Sequence, residues 1–581
     1  MTISLDERPV QTRRRLWLSA LALVLFYAVL LASVWPSVPG PLGNVDATTK
    51  VWQVESILRG QLHLTYRAAT LDPTYEFIPT TSVVVIDGKP YAMYLNLFTA
   101  LLAAGSFIFG RMTYQIMPLL FTLLTIVLMT GFVRRHRLVS ERSLWQVVLV
   151  LGFCTPLFYY TLAPMEHGLA TLLTVGAFIL TADGLVAARA GNRPRLLVQF
   201  ALAGLCLGLT PLVRPECYAL ALAVGVVAIV VLLVMKIPLL WCLVSGAVMA
   251  AGGALVLAAT FGILPLIFRI QSALNTQNVT YFRMPMHGRF WQFLFKVTPG
   301  LAMGRLLTSA VADPLALTGS CLLVAAVVMS LISGVRRSWR RHLATGLLLG
   351  ALSVIIICWG LDGVFASVPL LTLLFFLRGD PAFREPVVML VLGSAITFML
   401  LLGLLLPNPG GVRMLSPRYL LPVVVPAAVV AFCLVRTHLN QAPSRWLHVM
   451  LVIVVIVSVV GLGKGLASVW HSAAISRNAD RRLGALPEPL VRCADALHRD
   501  GVLYHAPKTC LGRTVLSADD EERFLKVVAA FRRNGIRRFT VVGFTVLLER
   551  DRAMIARAGG TVVDKQEFSY QSTALVVELA P

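Results

Sequence analysis

"YAMYLNLFTALLAAGSFIFG" fills residues 91–110 and holds no charged side chain. A helix of this length measures about 30 Å, enough to cross the hydrocarbon core of a bilayer. The placing of this one segment decides which side of a membrane every later loop faces. If it crosses, the basic loops "RRHR" (134–137), "RAGNRPR" (189–195) and "RRSWRR" (336–341) all fall outside. That runs against the bias that keeps Lys and Arg in short cytoplasmic loops. If it lies in the outer interface, or dips in and returns, all three loops fall inside. The second placement is adopted, with the N-terminus inside and the C-terminus outside.

A membrane is required by composition. Of 581 residues, 57% are hydrophobic and only 14% charged, and the mean hydropathy is +0.79. Soluble domains do not have this balance. Apolar runs at 16–35, 113–133, 143–162, 168–188, 196–213, 217–235, 239–266, 311–333, 343–361, 363–377, 386–406, 419–435 and 446–466 read as spans. An outer-membrane barrel would show short alternating strands instead. The expected fold class is therefore an all-α polytopic membrane protein of about 13 transmembrane helices, with a small C-terminal α/β domain outside the plasma (inner) membrane. The net charge of +23 sits in short loops between spans, which excludes nucleic acid as the partner. The run 16–35 follows Arg13, Arg14 and Arg15 and reads as a retained anchor after a cytoplasmic segment 1–15. Seven of the nine cysteines lie in or beside apolar runs and act as small hydrophobes. Cys493 and Cys510 lie in the polar C-terminal part, where a disulfide is available to them if that part is outside.

This topology gathers polar groups on one face. The transmembrane domain, 16–469, exposes a first outer loop (36–112), the turn at Glu166–His167, the turn Arg214-Pro215-Glu216, a basic loop (267–310) and the turn at 410–419. In the first loop, "GNVDATTKVWQVESILRGQLHL" (43–64) has apolar residues at 51, 54, 58 and 62, the spacing of an amphipathic helix lying on the surface. Asp46 stands before it, and either an N-cap or a general base at the bilayer boundary fits. Glu55 and Arg59 are placed for a surface ion pair. Lys89 is placed either to anchor at lipid headgroups or to hold a lipid phosphate. The loop 267–310 includes Arg269, Arg283, Arg289, Lys296 and Arg305 with no acidic residue, so an anionic headgroup or phosphate is its simplest partner. Arg214 and Glu216 either satisfy each other or line a wet cavity. Asp46, Glu166 and His167 are the nearest approach to a metal-ligating set. No Walker loop, HExxH or CxxC occurs.

Four stretches in order resemble the GT-C superfamily of polytopic glycosyltransferases. They are the first-loop Asp46; "GKPYAMYLNLFTALLAAGSFIFG" (88–110); "GLCLGLTPLVRPE" (204–216); and "SPRYLLPVVVP" (416–426). The resemblance covers residues 10–470. Its aminoarabinose and mannosyl branches often carry Asp-Glu at the first-loop site, whereas here Asp46-Ala47 leaves one carboxylate.

The resemblance implies an inverting enzyme that uses a polyprenyl-phosphate sugar as donor. Asp46 would be the catalytic base. Lys89, Arg214, Arg283, Arg289 and Arg418 would meet the donor phosphate. Glu166, His167 and Glu216 would orient the acceptor or the base. The acceptor class (glycan, lipid or protein) stays open, as does a divalent metal. A transporter or flippase of a lipid-linked glycan, and a non-catalytic assembly factor, are the competing classes. Polar residues gathered at one face and no obvious internal repeat favour the enzyme over a transporter.

Residues 470–581 change character. "DDEERFLKVVAAFRRNG" (519–535) reads as a helix, "IRRFTVVGF" (536–544) as a strand, "TVLLERDRAMIARAGG" (545–560) as a helix and "STALVVEL" (572–579) as a strand. This alternation predicts a small α/β domain without a catalytic constellation.

Overall fold

The computed structural model describes residues 9–34, 45–79, 82–93, 96–162, 164–263, 265–266, 269–270, 368–377, 380–405, 418–441, 445–493, 512–518, 520–569 and 572–580. Among them, eight helical stretches are long and apolar enough to cross a bilayer, and the chain is a multi-pass membrane protein. The expected spans 311–333 and 343–361 lie outside the described residues, as does the pairing of Cys493 with Cys510.

The first membrane helix is α1 (Pro9–Val34). After it comes α2 (Val45–Leu58), then a hairpin of β1 (Val83–Ile86) and β2 (Lys89–Ala92), paired Ile86↔Lys89 and Val83↔Ala92. Its turn is Asp87-Gly88, with φ of 51° and 67°. Two positive φ values fit a two-residue turn of the type whose twist matches the strands. This turn draws Tyr91 and Ala92 into a strand, so the apolar segment 91–110 is shorter as a helix than its sequence suggests.

What remains is α3 (Leu97–Phe109), capped by Asn96, whose side chain accepts from the Thr99 amide. Thirteen residues reach about 20 Å, short of a bilayer core of about 30 Å. At Gly110, with φ of 55°, the chain leaves the helix and then enters α4 (Thr113–Arg135). The Thr113 hydroxyl donates to the Leu102 carbonyl at 3.4 Å. In one straight helix these residues would stand about 16 Å apart; α3 is folded back along α4.

The expected span 143–162 is broken. It forms α5 (Leu144–Phe153) and a single turn, α6 (Leu157–Tyr160). Pro156 lies in the break, and a proline removes a backbone donor and disfavours helix in the residue before it. Long helices follow: α7 (His167–Arg189), α8 (Arg193–Val213), α9 (Cys217–Val234) and α10 (Leu239–Ile263). α8 and α10 touch backbone to backbone. A Cβ on Gly204 would lie 2.0 Å from the Met249 carbonyl oxygen, and one on Gly208 would lie 2.6 Å from that of Gly253. The Gly204–Gly208 spacing is the small-residue pattern that lets membrane helices approach closely. The last three membrane-domain helices are α11 (Pro386–Leu405), α12 (Leu421–Gln441) and α13 (Arg445–Gly484). The described part of the expected span 363–377 contains only short turns at Pro369–Thr372 and Leu373–Phe376.

α13 has 40 residues, about 60 Å, twice the bilayer core. It passes through position 470 without a break and ends at Gly484, so the sheet region begins later than composition suggests. That region has β3 (Leu490–Cys493), β4 (Val515–Ala518), β5 (Arg538–Phe544), β6 (Gly560–Ser569) and β7 (Ser572–Leu579). Strand order is β4-β3-β5-β7-β6. The first three strands are parallel, and β7 is antiparallel to both β5 and β6. Two helices accompany the sheet, α14 (Glu521–Arg533) and α15 (Leu548–Arg557).

α2 does not lie on a surface. Ala47, Thr48, Thr49, Lys50, Val51, Trp52, Gln53, Val54 and Ser56 are all buried. Ala47, Val51 and Val54 join the core of the helical bundle, while Trp52, with its neighbour Tyr66, belongs to one apolar cluster with Leu516, Phe524 and Phe531 of the sheet region. The helix is thus the joint between the two layers.

Candidate active site

The site is built on the buried turns at one end of α2, α7 and α8. Asp46 is the second residue of α2, inside the first turn rather than ahead of it, and it is half-buried. Lys50 follows one turn later on the same helix face. Its side chain is wholly buried, with Nζ 2.5 Å from Glu166 Oε2 and 3.6 Å from Met165 Sδ. Glu166 sits in the turn ahead of α7, and its Oε1 accepts from Arg214 Nη1 at 3.2 Å.

Arg214 ends α8 with extended backbone, φ −148° and ψ 119°. Pro215 explains this, since a residue before proline is driven out of the helical region. The guanidinium also pairs with Glu216 and donates to His167 Nε2. A guanidinium only donates, so Nε2 is the acceptor and a neutral His167 carries its proton on Nδ1. The ring of Tyr160 stacks on His167 at 4.3 Å with an interplanar angle of 22°. Tyr419 lies under the Arg214 guanidinium at 5.2 Å, a cation–π contact. Asn96 donates to the Val213 carbonyl at 2.9 Å, which ties the cap of α3 to the residue before Arg214.

Lys50, Glu166, Arg214 and Glu216 thus make a chain of alternating charge in the protein interior. Isolated buried charges are costly, and each here has an opposite neighbour. Burial alone would raise the Glu166 carboxyl, but the Lys50 ammonium and the Arg214 guanidinium outweigh it and hold Glu166 below the usual carboxylate range.

The structure thus brings together Glu166, His167, Arg214 and Glu216, with Asp46 a turn from Lys50. It does not bring Lys89 to them. Lys89 is exposed at the start of β2, and no hydrogen bond or ion pair among the described residues joins it to the cluster. Arg418 opens the turn Arg418–Leu420 that carries Tyr419. Arg283 and Arg289 lie outside the described residues. Arg269, at the start of the basic loop, forms a two-pronged ion pair with Asp87 of the hairpin turn, at 2.8 and 2.9 Å, which depresses the Asp87 carboxyl. Glu55 meets Arg111 Nε at 3.7 Å and the Tyr114 hydroxyl at 3.4 Å, linking α2 to the α3–α4 corner rather than to its own Arg59.

Sequence reasoning missed Lys50, Tyr160 and Tyr419. The signal for Lys50 was its place four residues after Asp46 among small and apolar neighbours. Metal chemistry was the open question at Asp46, Glu166 and His167. Among the described residues no three acidic, histidine or cysteine groups converge as a metal set. Both Glu166 oxygens and His167 Nε2 are engaged by cationic side chains, so the residues present do not fit a divalent ion.

Comparison with solved structures bears on the frame that holds this cluster. ArnT from Cupriavidus metallidurans bound to undecaprenyl phosphate aligns over 95% of this chain and 97% of its own, with a TM-score of 0.50 and 14% identity. The chain shares the fold of that ArnT structure. On this frame the cluster occupies the turns that open α7 and close α8. The oligosaccharyltransferase AglB from Archaeoglobus fulgidus, in complex with an inhibitory peptide and a dolichol-phosphate, matches 92% of this chain and 71% of its own at a TM-score of 0.45 and 12% identity. No family model and no curated protein matches the chain.

Proposed function

We propose that this protein is an inverting glycosyltransferase that moves a sugar from a polyprenyl-phosphate donor to an acceptor hydroxyl on the extracytoplasmic face. The observation that carries the proposal is the buried Lys50–Glu166–Arg214–Glu216 chain, set on a GT-C fold a single helical turn from Asp46. Such a chain holds its members in one geometry, as a site built to act on a developing charge requires.

In this mechanism Asp46 takes the proton of the acceptor hydroxyl. The acceptor oxygen attacks the anomeric carbon from the side opposite the phosphate, and the bond from that carbon to the phosphate oxygen breaks. The electron pair leaves with the polyprenyl phosphate, and the configuration inverts. Lys89, Arg283, Arg289 and Arg418 meet the charge of the leaving phosphate. Arg214 is committed to Glu166 and Glu216, so its part moves from phosphate contact to holding the carboxylates. Glu166, His167 and Glu216 orient the acceptor and Asp46.

A place for the lipid chain supports the donor class. Between α8, α9 and α10 lies an open apolar cavity of about 410 Å³, bordered by Pro211, Tyr218, Gly225, Met249 and Leu257. It starts at Tyr218, two residues beyond Glu216. In the proposed topology the N-terminus lies inside, α3 returns to the outer side and the sheet region lies outside. ArnT was solved with undecaprenyl phosphate, which is consistent with a polyprenyl donor here.

The test is sugar transfer by protein in lipid nanodiscs, using a set of polyprenyl-phosphate sugars and scoring new glycosidic bonds. Asp46→Asn is expected to lower transfer at least about 100-fold with an unchanged melting temperature. Normal turnover by that variant would remove Asp46 as base. Lipid-linked glycan moved across the bilayer without bond formation would replace the enzyme by a transporter.

A further inference from the structure

A lysine with no exposed side-chain surface, clamped to a buried glutamate, is a costly feature for a helix to carry. Packing alone does not ask for it. Ala47, Val51 and Val54 already fasten α2 to the bundle, and Trp52 fastens it to the sheet region. Lys50 takes one oxygen of Glu166 while Arg214 takes the other, and Arg214 also takes His167 Nε2. These are the donor atoms that a divalent cation would need beside Asp46.

We infer that Lys50 and Arg214 are the resident cations of this site, filling with fixed positive charge the carboxylate positions of a metal, and that the protein works without a divalent ion. The inference takes the catalytic role of the site from the function proposed above; the occupancy of Glu166 and His167 does not depend on it. Lys50 is a positioning residue. Its ammonium sets Glu166 and brings a positive charge to within a helical turn of Asp46. A lysine on a rigid helix face supplies that charge without exchange with solvent ions.

The first test needs no turnover. The full-length protein is stripped with chelator and titrated with Mn²⁺ by electron paramagnetic resonance, alongside Glu166→Gln. The expected result is that neither binds Mn²⁺ in a way that Glu166 controls. One equivalent bound by the native protein and lost in Glu166→Gln overturns the inference, whether or not sugar transfer is ever seen.

The second test uses Lys50→Ala. Transfer is expected to fall about 100-fold and to recover in part with n-propylammonium, which supplies the missing chain and charge. Neutral propanol and Mn²⁺ should restore nothing. Recovery with Mn²⁺ but not with the amine overturns the inference. Lys50→Met, which fills the space without charge, guards against a folding defect: if folded, it should be inactive and unresponsive to the amine, and full activity in it also overturns the inference.

Discussion

Charged residues at apolar positions were the informative ones. Glu166, His167, Arg214 and Glu216 stood out in sequence because each interrupts or borders a membrane helix, and the structure joins all four through one guanidinium. Lys50 did not stand out, because a lysine in a polar-looking helix suggests solvent. Its burial involves residues far away in the chain, Met165 and Glu166. Replacing Arg214 by Met should be costly, since it takes the guanidinium from Glu216 and leaves Glu166 to Lys50 alone. Removing one member of a buried pair costs about 3–5 kcal/mol, so Arg214→Met is expected to show a clearly lowered melting temperature in detergent, while the exposed Arg134→Met changes it little.

A second titratable residue gives a pH signature. Asp551 on α15 is buried, and burial lifts its carboxyl to about 6 against the pull of Arg550 and Arg492. Gly543 makes room for it, since a Cβ there would lie 2.0 Å from Asp551 Oδ2. The folded sheet region holds the proton over a range, from about pH 4 to about pH 6, in which the unfolded chain has released it. Stability contributed by Asp551 therefore falls as pH rises through that window. Hydrogen exchange of the β5 and β7 amides should be slower at pH 5 than at pH 7, after correction for intrinsic rates, and Asp551→Asn should flatten the difference. An unchanged slope in Asp551→Asn would assign the effect elsewhere.

At the scale of elements, helices were easier to read than strands. α7 to α10 fall within a few residues of their apolar runs because membrane helices carry a strong and continuous signal. β3 and β4 are four residues each, and β6 is an edge strand with polar, largely solvated side chains, so none has an apolar pattern to find. α5 and α6 were joined in sequence because Pro156 is a single residue inside an apolar run. The cavity between α8, α9 and α10 depends on close approach at Gly204 and Gly208, which becomes visible only when the partner helix is known. Gly225 borders that cavity, and the atom nearest to a Cβ there is Met249 Sδ at 4.0 Å. Gly225→Leu therefore fills the cavity without moving backbone. At about 0.8 kcal/mol per buried methylene, displacing two methylenes of a lipid chain corresponds to roughly tenfold in affinity. KM for a long-chain polyprenyl donor should rise about that much with kcat little changed, and a short-chain donor should be unaffected. An equal effect on both donors would mean that the chain lies elsewhere.

At the scale of the molecule, sidedness is what makes the site a site. In the proposed topology the α3–α4 reversal at Gly110 lets the apolar segment 91–110 enter the bilayer edge and come back, and "RRHR" after α4 falls on the cytoplasmic side. In that topology the Arg214-Pro215-Glu216 turn faces outward, on the side of Asp46. Two exposed positions report this directly, Arg134 at the end of α4 and Pro215 between α8 and α9. Single cysteines at each, in a background whose accessible thiols are removed, should label from opposite sides of intact spheroplasts: Pro215→Cys with an impermeant maleimide added outside, Arg134→Cys only after permeabilisation. Labelling of both from one side would mean that 91–110 and its neighbours cross differently. Lys50 would still meet Glu166 as it does, because that contact does not depend on which side the turn faces. The donor proposed for this site would then have to reach them from the other leaflet.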